Sequence, residues 1–226
     1  MTKLLAIETS SDIGSIAVLA GDRLAESAIA TPREQTVRIL PLIDELLSTV
    51  DLELSDLDGI SFGRGPGSFT GVRVATAISQ GVGLATSTPL LPVSSLAATA
   101  QQAWRIEGIE RSLIAFDARM GEVFWCAYEI QDDLAIAIGA ERLSSPDDVE
   151  WAGSGEFACL GSAFARFVGE LGSVTAGANR ISPDTAPTAA DLLPLALADL
   201  EAGRGVAAAE AAPVYLRGEG AWKKRG

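Results

Sequence analysis

The stretch Phe62-Gly63-Arg64-Gly65-Pro66-Gly67-Ser68-Phe69-Thr70-Gly71-Val72-Arg73 decides how this chain is read, because its four glycines and one proline fix a backbone path before any side chain acts. Gly63, Gly65 and Gly67 permit positive φ or close backbone approach, and Pro66 stiffens the centre. The small and apolar residues 71–86 continue as a helix. Two readings fit such a loop. It presents amide N–H groups at a helix N-terminus, where an anion can sit, or its glycines serve only a tight strand-to-helix turn. The spacing is neither G-x-x-x-x-G-K-[ST] nor G-x-G-x-x-G with an acidic residue ~20 positions on, which disfavours a P-loop ATPase and a dinucleotide fold.

Upstream of the loop, residues 4–7 read as a buried strand entering the polar turn Glu8-Thr9-Ser10-Ser11-Asp12. Residues 14–20 are its hairpin partner, and Gly21-Asp22 turns the chain into a third strand over residues 23–30. Over residues 34–50, Val37, Leu40, Ile43, Leu47 and Val50 recur at helical spacing, with Pro41 inside the pattern. Strands at 57–62 and 90–93 flank the loop and its helix, so the first half reads β-β-β-α-β-α-β. The second half restarts with a strand over residues 113–117, a turn at Ala118-Arg119-Met120-Gly121 and a strand over 122–130. This repeats the strand, acidic turn, strand theme and suggests two related lobes. Beyond Gln131 glycines break the pattern until a helix over 188–201; with no low-complexity linker, the lobes are expected to pack together.

A chain of 226 residues with 48% hydrophobic content can bury a full core. Its formal charge of −13 opposes nucleic acid phosphates, and the local cluster Lys223, Lys224 and Arg225 reads as a solvated tail. Cys126 and Cys159 are widely spaced in apolar surroundings, which fits buried, reduced thiols. Glu8 interrupts the first apolar run and nothing approaches the ~20 apolar residues of a membrane span, so a soluble, cytoplasmic protein is expected. The sequence has no histidine, which excludes Ser-His-Asp, Cys-His and H-E-x-x-H chemistry and leaves acid–base work to carboxylates.

Three places are candidates for function. Glu8, Thr9 and Ser10, set beside Gly65, Gly67 and Ser68, could line a nucleotide phosphate cleft; alternatively Thr9 and Ser10 satisfy turn backbone. Asp117, near Arg119 and Glu122, is either a base or metal-anchoring carboxylate or a turn cap paired with Arg119. On the helix after the loop, Ala77, Gly81 and Ala85 form one small-residue stripe and Gly71, Ala75, Ser79 and Gly83 an adjacent one. One stripe would lie on the sheet and the other would accept a partner helix at close range.

The stretches Leu5-Ala6-Ile7-Glu8-Thr9-Ser10, Pro32-Arg33-Glu34-Gln35-Thr36, Arg38-Ile39-Leu40-Pro41, the glycine loop, Asp117-Ala118-Arg119-Met120-Gly121-Glu122-Val123, Pro213-Val214-Tyr215-Leu216-Arg217 and Ala221-Trp222-Lys223-Lys224 together resemble the TsaB (YeaZ) family. The resemblance spans nearly the whole chain, densely over residues 4–93 and thinly over 131–205. It implies an α/β, actin-like ATPase (ASKHA, RNase H-like) fold of two lobes with the second reduced. Residues 1–106 would be the partner-binding lobe, 107–206 the degenerate lobe, and 207–226 a segment packing back on the first. It implies a non-catalytic scaffold role in making N6-threonylcarbamoyladenosine at adenosine 37 of tRNAs that read ANN codons. The partners implied are the catalytic paralogue TsaD as a heterodimer, the ATPase TsaE, tRNA through the complex alone, and a homodimer when the chain is by itself. The interface it implies includes Arg38, Leu42, Val74, Ala75, Ala77, Ile78 and Gly81. TsaD-like proteins carry V-N-H-M-E-x-H where this chain has Val93-Ser94-Ser95-Leu96-Ala97-Ala98-Thr99, so Ser95 and Thr99 replace the two metal-binding histidines. No catalytic residue, no metal and no tightly bound cofactor are therefore expected, with ATP or ADP held at most weakly in the complex. The other reading left open is an independent small-molecule or sugar kinase of the same fold, with Glu8 and Asp117 as its carboxylates.

Overall fold

The computed structural model describes residues 1–217, with the side chains of residues 32–35 left aside. The first sheet takes β1 (Lys3–Glu8), β2 (Gly14–Ala20), β3 (Arg23–Ile29), β4 (Gly59–Gly63) and β5 (Leu90–Val93), in the order β3-β2-β1-β4-β5. Short turns make β1, β2 and β3 antiparallel. β4 and β5 run parallel to β1 and are reached through helical crossovers, α1 (Pro32–Thr49) and α2 (Phe69–Thr86). After α3 (Ser95–Glu107) the pattern repeats with β6 (Arg111–Asp117), β7 (Val123–Gln131), β8 (Leu134–Ser144), β9 (Ala158–Leu160) and β10 (Arg180–Ser182). Their order, β8-β7-β6-β9-β10, again has three antiparallel strands followed by two parallel ones. The helices differ. In place of two 18-residue crossovers the second lobe has α4 (Ala163–Arg166) and α5 (Gly172–Thr175), four residues each, before α6 (Ala189–Glu201).

Each sheet is covered on both faces, which is why its strands alternate between two apolar cores. Leu5, Ile7, Ile16 and Val18 pack under α1 and α2, whereas Leu4, Ala6, Ala17, Leu91 and Val93 pack under α6. Leu113, Ala115, Val123 and Trp125 join Phe157, Phe164 and Leu171 on the outside of the second sheet; Ile114, Cys126 and Tyr128 meet α3 on its inside. The division at residues 106 and 206 drawn from chain order is therefore not the division of packing. α3 follows the first sheet in sequence yet covers the second, and α6 follows the second yet covers the first.

The α1 periodicity needs a second correction. The buried face is Ile39, Leu42, Ile43, Leu46, Leu47 and Val50, a full set of helical neighbours. Val37 and Leu40, counted with that face from the sequence, point outward and are 75% and 54% exposed. Strand β8 was not foreseen at all. A register shift opposite Trp125 and Ala127 interrupts it, with Gly139 at φ +94°, so its residues never settle into strict alternation.

Past α6, residues 206–217 return along the first lobe. Val206 bridges to Leu90, Gln80 Nε2 donates to Ala211 O (2.9 Å) and Val214 N donates to Arg64 O (2.8 Å). The stretch 218–226, including Trp222, Lys223, Lys224 and Arg225, lies outside the described residues. Cys126 and Cys159 are free and buried. Among the described residues no helix is long and apolar enough to cross a membrane.

Candidate nucleotide cleft and partner face

The six residues proposed for a phosphate cleft do come together, but they close on one another. β1 ends at Glu8, which is fully buried. Its Oε1 accepts Ser10 N–H (2.5 Å) and its Oε2 accepts Ser95 Oγ–H (2.9 Å). Burial pushes the Glu8 carboxyl above its ordinary value, against the opposing effect of the Ser10 and Ser95 hydrogen bonds. Thr9 Oγ1 donates to Gly71 O (2.6 Å), and Ser68 N donates to Ser10 O (2.7 Å). Ser68 Oγ caps α2 by accepting Gly71 N–H (3.3 Å), while Gly65 O accepts Ser95 N–H (3.0 Å).

What the loop glycines accommodate is therefore the chain itself. A Cβ at Gly63 would stand 2.1 Å from Glu8 Oε2, one at Gly67 2.6 Å from Ser10 O, and one at Gly71 1.7 Å from Thr9 O. The loop amide of Ser68, which an anion would need, is taken by Ser10. Of the two readings of this loop, close packing accounts for the three glycines. Ser95 and Thr99 are both fully buried on α3, and Thr99 Oγ1 donates to Ser95 O (2.9 Å), so both hydroxyls serve the interior. Among the described residues no group of three His, Cys, Asp or Glu is placed to hold a metal ion. Asp117 behaves as a turn cap: its Oδ1 accepts Arg119 N–H (2.8 Å) and its Oδ2 accepts the Arg119 guanidinium (3.2 Å).

Two residues that the sequence did not single out cross between the lobes beside this loop. Arg64 makes a two-point pair with Glu141 of β8, at 3.1 and 3.2 Å, and Tyr128 Oη lies 3.5 Å from the same carboxylate. Arg64 stood in the quoted loop; Glu141 follows Gly139 in the irregular part of β8, where the sequence pattern had no strand to carry it.

On α2 the two small-residue stripes separate by burial. Gly71, Ala75, Ser79 and Gly83 are buried, and Ala77, Gly81 and Ala85 are exposed. Arg38, Ala77 and Gly81 are open to solvent, and Val74 and Ile78 are half-buried. Ala75 and Leu42 are corrections to the interface set, since both belong to the chain's own core. Their places on an outward surface go to Val37, Leu40 and Leu84, the last 73% exposed. Each is an exposed apolar side chain on the outer side of α1 or α2.

A sheet order repeated in two lobes, with a helix from each laid across the other, defines the two-lobed actin-like ATPase fold. The model of the family described as TsaD: tRNA N6-adenosine threonylcarbamoyltransferase matches residues 29–166. The "tRNA threonylcarbamoyladenosine biosynthesis protein TsaB" of Escherichia coli is 38% identical, over 98% of this chain and 97% of its own. The protein of the same name from Haemophilus influenzae is 35% identical, over 98% and 96%. Among solved structures, "YeaZ from Pseudomonas aeruginosa" superposes with a TM-score of 0.90 at 37% identity, covering 96% of this chain and all of its own. The chain belongs to the TsaB (YeaZ) family.

Proposed function

We propose that this protein serves the formation of N6-threonylcarbamoyladenosine at adenosine 37 of ANN-reading tRNAs as a non-catalytic scaffold subunit, paired with a TsaD-type paralogue that carries the chemistry. The observation that carries the reading is the 38% identity to the Escherichia coli TsaB protein along 98% of the chain. The absence of histidine from the sequence supports the division of labour, as do the inward hydroxyls of Ser95 and Thr99. The exposed apolar residues Val37, Leu40 and Leu84 support pairing on the outer side of α1 and α2, with Ala77 and Gly81 allowing a partner helix to approach closely. In the paralogue's absence the same side serves a homodimer. TsaE and tRNA join the assembled complex, because a charge of −13 on this chain opposes direct RNA binding. No nucleotide is held tightly in the closed Glu8 loop, and ATP or ADP binds weakly in the complex. An independent sugar kinase is not favoured: Glu8 is sealed and Asp117 caps a turn.

The test is co-purification with the paralogue, followed by tRNA modification assayed on the complex and on each chain. Gly81→Arg and Ala77→Arg are the variants, since Gly81 has open space and Ala77 is exposed. Both should abolish pairing, as overpacking a helix contact costs about 1–3 kcal/mol and burying an unpaired charge costs more. The Ala77→Arg monomer should melt within about 0.5 kcal/mol of the parent, and the Gly81→Arg monomer should match it or be up to about 1 kcal/mol more stable, since a helix-interior glycine is replaced. Modification by this chain alone, or unchanged pairing of both variants, would sink the proposal.

A further inference from the structure

We infer that residues 206–217 act as a strap coupling the outward side of α2 to the second lobe, with Arg217 as the latch; this rests on the assignment of that side to the paralogue. The strap touches α2 twice. Gln80 reaches Ala211 near its middle, and at the first turn the Tyr215 ring lies 6.5 Å from that of Phe69. The Arg73 guanidinium stands 3.3 Å from the Phe69 centroid and 4.8 Å from that of Tyr215. Phe69, Arg73, Ala77 and Gly81 follow one another at four-residue spacing, so this ring cluster ends the stripe on which the partner helix is placed.

Arg217 then crosses to the turn between β6 and β7. Its Nη2 shares its two N–H protons among Glu122 Oε2 (2.5 Å), Ala118 O (3.2 Å) and Arg119 O (3.4 Å), and its Nη1 lies 3.2 Å from Met120 Sδ. The turn it grips has three successive residues at positive φ, Arg119 at 63°, Met120 at 57° and Gly121 at 78°. Two of these are not glycine, and side-chain-bearing residues adopt that region reluctantly, so the turn gains from an external clamp. The clamp is incomplete among the described residues, where Arg217 Nε is buried without an acceptor. A latch with several good contacts and one unsatisfied donor can both hold and release. A partner seated on the stripe meets Tyr215, Tyr215 sets the strap, and the strap sets Arg217 in the turn. By reciprocity, releasing Arg217 must alter the affinity for the partner.

Hydrogen exchange of the full chain, alone and with the paralogue, tests this. The reporters are the hydrogen-bonded amides of Ala118 and Glu122, with α2 read in parallel. In the isolated chain Arg217→Ala should raise exchange over residues 118–122 at least tenfold and leave α2 unchanged. Glu122→Gln, which keeps a neutral acceptor, should raise it less, and it serves where the alanine variant fails to fold. With the paralogue bound, the parent chain should gain protection on α2 and on residues 118–122, whereas Arg217→Ala should gain it on α2 alone. Equal protection of residues 118–122 in both chains, or unchanged exchange there in both isolated variants, overturns the latch. No protection of α2 in the parent chain overturns the face assignment, and the coupling falls with it.

Discussion

β1 and β6 hold the same place in their sheets and both end on a carboxylate, but Glu8 is sealed between Ser10 and Ser95 while Asp117 turns back on Arg119. The difference arises from what approaches each strand end. Gly63 at the end of β4, Gly67 in the loop and Gly71 in the first turn of the 18-residue α2 bring the chain down on residues 8–10. Beyond β9, the strand equivalent to β4, the close approach is that of Gly161, whose Cβ would stand 2.5 Å from Ala115 O, and the helix that follows has four residues. One strand order thus supports a filled, helix-backed strand end in one lobe and a turn closed by Arg119 and clamped by Arg217 in the other. Topology fixes where a site could lie, and the neighbouring loop decides whether anything remains free there.

The largest effect should come from Gly71→Ala, where no rotamer relieves a backbone oxygen at 1.7 Å. We expect a loss of more than about 4 kcal/mol, or no folded protein. Gly172→Ala, at the start of α5 with open space around it, should be neutral or stabilise by up to about 1 kcal/mol. Chemical denaturation of the pair breaks the comparison if the two cost the same. Next comes the pair joining the crossed helices: Asp191 on α6 is fully buried and accepts Arg105 Nε (2.7 Å) and Thr188 Oγ1. Arg105→Ala should cost about 2 kcal/mol, less than the 3–5 kcal/mol of breaking a fully buried pair, because the Arg105 side chain keeps 44% of its exposure. An unchanged denaturation midpoint would show that the crossing helices do not depend on this pair.

A smaller, pH-dependent effect isolates Glu8. Its folded value lies above the ordinary 4.5, so the folded chain holds this proton more tightly than the unfolded chain. Its contribution is then full below about pH 4.5 and is lost as pH rises towards the raised folded value. The stability–pH curve of Glu8→Gln should lack that decline, and a parallel decline in both proteins would count against a sealed carboxyl. The smallest signal is chemical. Burial pushes Cys126 up to about 11 and Cys159 to about 12, so a thiol reagent at pH 8 should label neither until the chain unfolds.

The first lobe was legible because its signals are local: the apolar runs of β1 and β4, the Gly21-Asp22 turn and the glycine loop each sit inside a short window. The second faded where the physics became non-local. β8 loses its alternation at Gly139, and four-residue helices such as α4 and α5 are too short to display a period. At the candidate site the loop's shape could be read, but its occupant could not, since Glu8 and Gly63 are 55 positions apart in the chain. Val37 and Leu40 were misplaced for a related reason: an exposed apolar residue carries the same local signal as one turned towards the core.

The crossing of α3 and α6 sets an order of events at the ribosome. Leu4, Ala6, Ala17, Leu91 and Val93 are made early, yet the helix that covers them begins only at Ala189. While the second sheet is being synthesised, the inner face of the first stays uncovered and exposed to aggregation or chaperone binding. The second sheet meets α3, already made, as it emerges, whereas the first lobe, begun earlier, closes only when α6 follows.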